Sequence, residues 1–389
     1  MEFQAVEAFL REQIYPLEPL LLEGKYDQLH GRLDTAREAV KEQGWWLPQL
    51  SADHGGVGLG LVEFGRLSEI LGRSPLAHYA FGCQAPDAGN IELLIEAGTE
   101  AHKQRFLQPL LDGRVRSCFA MTEPDTSGAN PTELACRAEA AGDGYRISGR
   151  KWFATAADGA DFAIVMAVTD PDAAPHQRAS MLLVPTAAKG YSLVRNVPVM
   201  GHGGSGYFSH GELEFDRVHV PAENLLGERG QGFRLAQARL GPGRIHHCMR
   251  WLGICQRAQD LACRRAVERA IGKGQVLADQ ALVQSMLADS AAEMAAARAL
   301  VLDVAAEAEA QGFASARARV GMIKYFCAGV LQRVVDRAVQ IHGALGVTDD
   351  TILAFFYREE RAARIYDGPD EVHRLSVARQ LLKPYRHST

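Results

Sequence analysis

Two apolar stripes in the later part of the chain recur at steps of three and four: Val283, Met286, Leu287, Ser290, Met294, Ala297, Val301 and Val304, then Val320, Ile323, Cys327, Val330, Val334, Ala338 and Ile341. Residues at these steps share one face of an α-helix, so both stripes predict long helices buried along that face. From Met1 to about Arg116 the period is again helical, punctuated by Gly and Pro as in QLSADHGGVGLGLVEFGRLSEILG. The intervening stretch differs. YRISG, DFAIVMAV, SMLLVP and GELEF are short β-type runs separated by Gly, Pro and Asp clusters. No helical segment alternates with them, which predicts a compact antiparallel β domain rather than a parallel sheet. The expected division is 1–116 helical, 117–228 β and 229–389 helical.

Three shorter stretches interrupt this pattern. Gly55, Gly56, Gly58 and Gly60 crowd together, but no strand precedes them, so a loop between helices is expected rather than a nucleotide-binding turn. APDAGN, from Ala85 to Asn90, carries Pro86 and Gly89 and is expected to turn. An alternative gives Asp87 or Asn90 a place beside a bound acyl chain. RIYDGPDEVHR, from Arg364 to Arg374, contains the turn dipeptides Asp-Gly and Gly-Pro, which predict one helix ending at Tyr366 and another starting near Glu371.

At 389 residues the chain is too long for one core of ordinary size. Hydrophobic residues make up 47% and charged residues 23%, so burial is not limiting and no disorder is implied. A formal net charge of -5 argues against a general nucleic-acid binder. The longest apolar run, FAIVMAV, is too short to span a bilayer, and the acidic, amphipathic start does not read as a signal sequence. The expectation is a cytoplasmic protein with no membrane segment. Seven cysteines without a C-x-x-C pair suggest neither a disulfide framework nor a zinc ribbon. Cys248 and Cys255 have core spacing, and the pair His246-His247 lacks the i, i+4 step of helical metal ligands, so no metal is expected.

Several longer stretches occur in a telling order: CFAMTEPDTSG at 118–128, GRKWFATAADGADFAIV at 149–165, FDRVHVPAENLLGERGQGF at 215–233, ERAIGKG at 268–274, AVQIHGALGV at 338–347 and IYDGPDEVHR at 365–374. In these the chain resembles the acyl-CoA dehydrogenases over nearly its whole length. GPGRIHHCMRWLG and DGPDEVH resemble in particular the subgroup of animal family members ten and eleven. The resemblance implies a mixed α and β fold: an N-terminal helical domain, a central antiparallel β domain and a C-terminal four-helix bundle. It also implies bound FAD, an acyl-CoA substrate, a homodimer or homotetramer, and an electron-transfer flavoprotein as electron acceptor.

The reaction so implied removes the α-proton and the β-hydride of an acyl-CoA thioester from opposite faces and leaves a trans-2-enoyl-CoA. Asp367 stands where most of the family has a glutamate base, one methylene longer. A carboxylate of ordinary pKa, about 4, is a weak base toward carbon unless burial raises it and the thioester oxygen is hydrogen-bonded as the enolate develops. The family supplies such a donor from the base's own backbone N–H, so a fixed turn at Asp367 and a catalytic carboxylate there are compatible. At the family's alternative base position this chain has Gly243, without a side chain, before Arg244. Arg244, Gly368 and Arg379 match substrate-side positions.

For the cofactor, Phe119, Met121 and Thr122 match the strand end that meets the flavin's polar edge. Phe153 replaces the tryptophan that packs on the flavin ring, and Thr155 matches the threonine near N5. Arg269, Gln280, Gln340, Gly343 and Ala344 match groups that reach the FAD of a neighbouring subunit. Some positions depart from the pattern. DTSGA replaces GAGSD, which bears on Ser127 and Gly128 as cofactor contacts. Pro369 and Glu371 replace the usual Thr and Gln, and GKG lacks the usual Phe. Two other classes remain open: a same-fold flavin oxidase of the nitroalkane oxidase or acyl-CoA oxidase type, and a non-catalytic CoA-binding scaffold. Acyl-chain length, branching and hydroxylation are not legible here.

Overall fold

The computed structural model describes residues 1–386, with the side chains of 240–242 left aside. The last three residues of the span expected for the third part thus lie outside the described residues. By packing, the chain forms two compact units: Met1–Phe81 with Gly241–Thr389, and Gly82–Leu240.

The first unit is helical. In the helix Tyr26–Glu42 the buried positions are Leu29, Leu33, Ala36 and Val40, one face at steps of three and four. Leu61–Leu71 buries Phe64, Leu67, Leu71 and their neighbours, and the Gly-rich residues before it form a loop that follows the short turn Ala52–His54. The long helices Ala281–Gln311 and Phe313–His342 pack on each other, separated by Gly312 alone, whose φ of 84° suits a residue without Cβ. Every member of the second apolar stripe is buried, from Val320 to Ile341. Asp370–Leu382 lies against the same helix.

The second unit is built on an eight-stranded sheet. Its strands are β1 (Ser117–Ala120), β2 (Arg137–Ala141), β3 (Gly144–Thr155), β4 (Phe162–Val168), β5 (Ala179–Pro185), β6 (Tyr191–Asn196), β7 (His210–Pro221) and β8 (Leu225–Leu226). The order is β6-β7-β3-β2-β4-β5-β8, with β1 paired to β4. Most pairs are antiparallel, as expected, but β1 runs parallel to β4 over four residue pairs, and β2 meets β4 in parallel at Arg137 and Val168. All seven residues of β4 are buried, which is why FAIVMAV is a continuous apolar run rather than an alternating one.

One expectation fails locally. Asp87–Ala97 is a helix, so most of APDAGN is not loop. A Cβ on Gly89 would lie 2.8 Å from Arg239 Nε, and the Arg239 guanidinium sits 4.3 Å from the Phe119 ring centroid. Close packing within this unit thus explains a glycine that local turn propensity misreads. Asp87 accepts from the Ser117 N–H and hydroxyl, and Asn90 donates to the Ser117 hydroxyl at 2.9 Å, tying this helix to the start of β1.

Candidate active site

The residues nominated from sequence fall into three groups, the first of them on the turn between Tyr366 and Asp370. Tyr366 anchors its entry. The hydroxyl accepts from Arg250 Nη2 and Trp251 Nε1, each at 2.9 Å, and Arg250 in turn forms a two-pronged ion pair with Glu360. Burial, with the Glu360 charge adding to it, pushes the Tyr366 phenol up from its ordinary value, so it stays neutral.

Past this anchor the backbone turns left-handed at two successive residues, Asp367 at φ 54° and Gly368 at φ 99°. Asp tolerates that region better than most side chains, and glycine enters it freely. Three buried or part-buried side chains brace the turn by its carbonyls. Arg244 Nε donates to the Asp367 carbonyl at 3.1 Å and His373 Nε2 to the same oxygen at 3.0 Å, while Lys324 Nζ donates to the Gly368 carbonyl at 2.6 Å. Burial, reinforced by the Arg244 charge, lowers the His373 imidazole to about 4, so it is neutral and can donate one N–H. Burial also lowers the Lys324 ammonium to about 8, against the pull of Asp370 and Asp367. Backbone bonds on either side run from Ile365 and Tyr366 to the Ala362 carbonyl, and from Val372 and His373 to the Pro369 carbonyl. The Asp367 N–H takes part in neither set. The Asp367 carboxylate itself meets His247, with Nε2 and Oδ2 3.2 Å apart.

The second group lies in the sheet unit. Thr122 and Trp152 are joined twice, from the Thr122 hydroxyl to the Trp152 carbonyl at 2.8 Å and from the Trp152 N–H to the Thr122 carbonyl at 3.0 Å. Beneath them Lys151, without exposure, donates to the Met121 carbonyl and to Glu123 Oε1, both at 2.8 Å. Glu123 also accepts from the N–H groups of Ala135 and Cys136. Burial works to raise this carboxyl, but the Lys151 charge and these hydrogen bonds outweigh it and hold it below the ordinary range. Next along β3 the register slips: Lys151 faces Leu213 and Ala154 faces Gly211, so β3 carries one extra residue there. This bulge re-aims side chains. Phe153, at φ 50°, is left 43% exposed, and the Thr155 hydroxyl is 3.0 Å from His210 Nδ1. An exposed aromatic ring beside a hydroxyl and a backbone edge fits a flat, polar-rimmed ring such as a flavin. Ser127 and Gly128 are exposed, and a Cβ on Gly128 would touch Thr122 at 3.4 Å.

The third group is scattered along the helical unit and uniformly exposed. Arg269 and Gln280 flank the small hairpin Ala270–Gly272 and Gln275–Val276, while Gln340, Gly343 and Ala344 end the helix Phe313–His342. Glu371 and Arg379 are exposed on the helix that Pro369 precedes.

Sequence reasoning missed His247, Lys324, His373 and His210. His247 was considered only as a metal ligand, and its partner Asp367 lies far along the chain. Lys324 sits inside an apolar stripe, where nothing in the spacing singles it out.

Three family models match the chain: the acyl-CoA dehydrogenase N-terminal domain over 2–114, the middle domain over 118–218 and the C-terminal domain over 230–382. FadE2 of Mycobacterium tuberculosis is 45% identical over 356 residues, covering 89% of this chain and 84% of that protein. Acyl-CoA dehydrogenase family member 10 of Mus musculus is 39% identical over 397 residues, 98% of this chain but only 36% of the mouse protein. The chain thus spans about a third of that relative. A solved Mycobacterium abscessus structure superposes with a TM-score of 0.93 at 37% identity, covering 98% of this chain and 97% of that one.

Proposed function

Because the chain belongs to the acyl-CoA dehydrogenase family, a family of FAD flavoproteins, we propose that it oxidises an acyl-CoA thioester to the trans-2-enoyl-CoA with Asp367 as the base. The observation that carries this reading is the turn itself. Arg244 and His373 both hold the Asp367 carbonyl, which leaves the N–H of the same residue free to donate to a thioester oxygen while its carboxylate receives the α-proton. A donor aimed at the oxygen on which charge develops stabilises the enolate more than the substrate. Base and donor then belong to one residue, and the bracing of one positions the other. Gly243 offers no competing side chain.

Phe153 and the backbone from Phe119 to Thr122 would hold the flavin ring, with Thr155 at its polar rim and Ser127 and Gly128 nearby. The chemistry FAD supplies when bound is acceptance of the β-hydride. Electrons would then pass to an electron-transfer flavoprotein. Pro369, Glu371, Gly368 and Arg379 remain candidate contacts around the turn. Among the described residues no helix is long and apolar enough to cross a membrane.

The test is Asp367→Asn. The variant should bind FAD and acyl-CoA normally yet fail to bleach the flavin anaerobically across a series of acyl-CoA chain lengths. Bleaching within about tenfold of wild type would remove Asp367 from the base role.

Arg269, Gln280, Gln340, Gly343 and Ala344 are exposed on one unit, which supports the reading that they serve the FAD of a second copy in a homodimer or homotetramer. Arg269→Ala should weaken flavin retention and self-association together. A fully flavinylated monomer in sedimentation would contradict it.

A further inference from the structure

The reaction so described leaves His247 without a part, although its Nε2 lies 3.2 Å from Asp367 Oδ2. We propose that His247, which approaches the Asp367 carboxylate at ion-pair distance without an aligned hydrogen bond in this structure, is a positioning residue for it: in the FAD-loaded enzyme it donates Nε2–H to Oδ2, fixes the side-chain rotamer, and leaves Oδ1 as the oxygen that takes the proton. The inference rests on the reading of Asp367 as the base.

An aspartate's terminal torsion is broad, so nothing intrinsic to the side chain holds one oxygen toward a substrate. A directional donor on the other oxygen does. His247 is itself held. Its ring stacks on Trp251 at 6.1 Å with an interplanar angle of 22°, and meets the Tyr366 ring at 5.4 Å. Trp251 and Tyr366 are joined by the indole-to-hydroxyl hydrogen bond, and the Arg250–Glu360 pair locks that hydroxyl from behind. Imidazole, anchor and carboxylate therefore share one frame.

The other groups around the pair are committed elsewhere. On the helix Gly232–Glu268, which also carries His247, Arg244 holds the Asp367 carbonyl and Arg250 holds Glu360 and Tyr366. Cys248 is buried there. His246 is buried against Phe64, which lowers it to about 3, and the buried His78 bonds the Ser68 hydroxyl. From the neighbouring helix Lys324 holds the Gly368 carbonyl, and beyond the turn His373 holds the Asp367 carbonyl while Asp370 accepts from Arg364. Among the described residues, His247 is thus the side chain that meets the Asp367 carboxylate.

A donor in this place divides the roles of the two carboxylate oxygens. When the α C–H bond breaks, its proton bonds to Oδ1 and its electron pair passes into the thioester enolate. His247 keeps its own proton throughout.

The experiment uses the FAD-loaded enzyme with His247→Phe, which fills the ring space without a donor, and His247→Gln, which keeps one. Without ligand, the infrared difference spectrum against Asp367→Asn isolates the Asp367 carboxylate band. That band should move in His247→Phe and lie near its wild-type position in His247→Gln. With octanoyl-CoA, the anaerobic flavin-reduction rate should be about tenfold lower in His247→Phe and recover in His247→Gln. An unmoved carboxylate band in His247→Phe overturns the proposal, whether or not octanoyl-CoA is turned over. So does a His247→Gln variant as impaired as His247→Phe, since the ring would then matter only for packing on Trp251 and Tyr366. Should His247→Phe not fold, His247→Met takes its place with the same readings. If Asp367→Asn stays active while the band still moves, the base assignment fails and the hydrogen bond stands, so the two failures are distinct.

Discussion

Lys324 and Gly368, 44 positions apart in sequence, are joined by a 2.6 Å hydrogen bond from Nζ to the carbonyl, made by a lysine with no exposed surface. That contact fixes the far side of the turn whose near side is Asp367. A buried ammonium is tolerated there because Asp370 lies 3.9 Å away and the carbonyl accepts its hydrogen bond.

Lys324→Met should loosen the turn and slow flavin reduction, by up to about tenfold if the carboxylate is misplaced by a fraction of an ångström. Stability carries a separate signature. The Lys324 ammonium titrates at about 8 in the folded chain against an ordinary 10.5, so between those values the unfolded chain holds more protons than the folded one. Folding stability therefore gains from this group as pH rises from about 8 toward 10.5, and the gain should be absent in Lys324→Met. Chemical denaturation of both proteins across that range reads the difference directly.

In the sheet unit, Lys151 and Glu123 form an ion pair 2.8 Å long with 0% and 3% side-chain exposure. Lys151→Met strands the Glu123 charge and frees the Met121 carbonyl. We expect a loss of about 3–5 kcal/mol, the usual consequence of breaking one side of a buried pair. Flavin retention should fall as well, because Met121 and Thr122 form part of the proposed flavin edge. A variant as stable as wild type in urea would show that the pair is dispensable.

The two long apolar stripes, the β-runs before them and the Asp-Gly-Pro turn were legible in sequence because each is a local periodicity or a local backbone preference. The turn lies where Asp-Gly and Gly-Pro put it and the next helix begins at Asp370, one residue from the expected start, but the helical stretch before it ends at Arg364, two residues short of Tyr366. Ala85–Asn90 was misread for the converse reason. Pro86 and Gly89 carry turn propensity, but Gly89 belongs to a helix whose packing leaves space for Arg239. The exposure of Phe153 was equally hidden, since it depends on how β3 registers against β7.

By itself, then, the sequence determined the alternation of helical, β and helical parts and the place of a turn that carries a carboxylate, because periodicity and backbone preference act over a few neighbouring residues. Only the tertiary structure decided what surrounds that carboxylate. Arg244, His247, Lys324 and His373 reach the turn from three helices, and the contacts of Arg244, His247 and Lys324 with it, made from positions far away along the chain, exist only once packing has brought their helices together. The parallel pairing of β1 with β4 was decided in the same way, since an apolar run specifies burial but not which strand lies beside it.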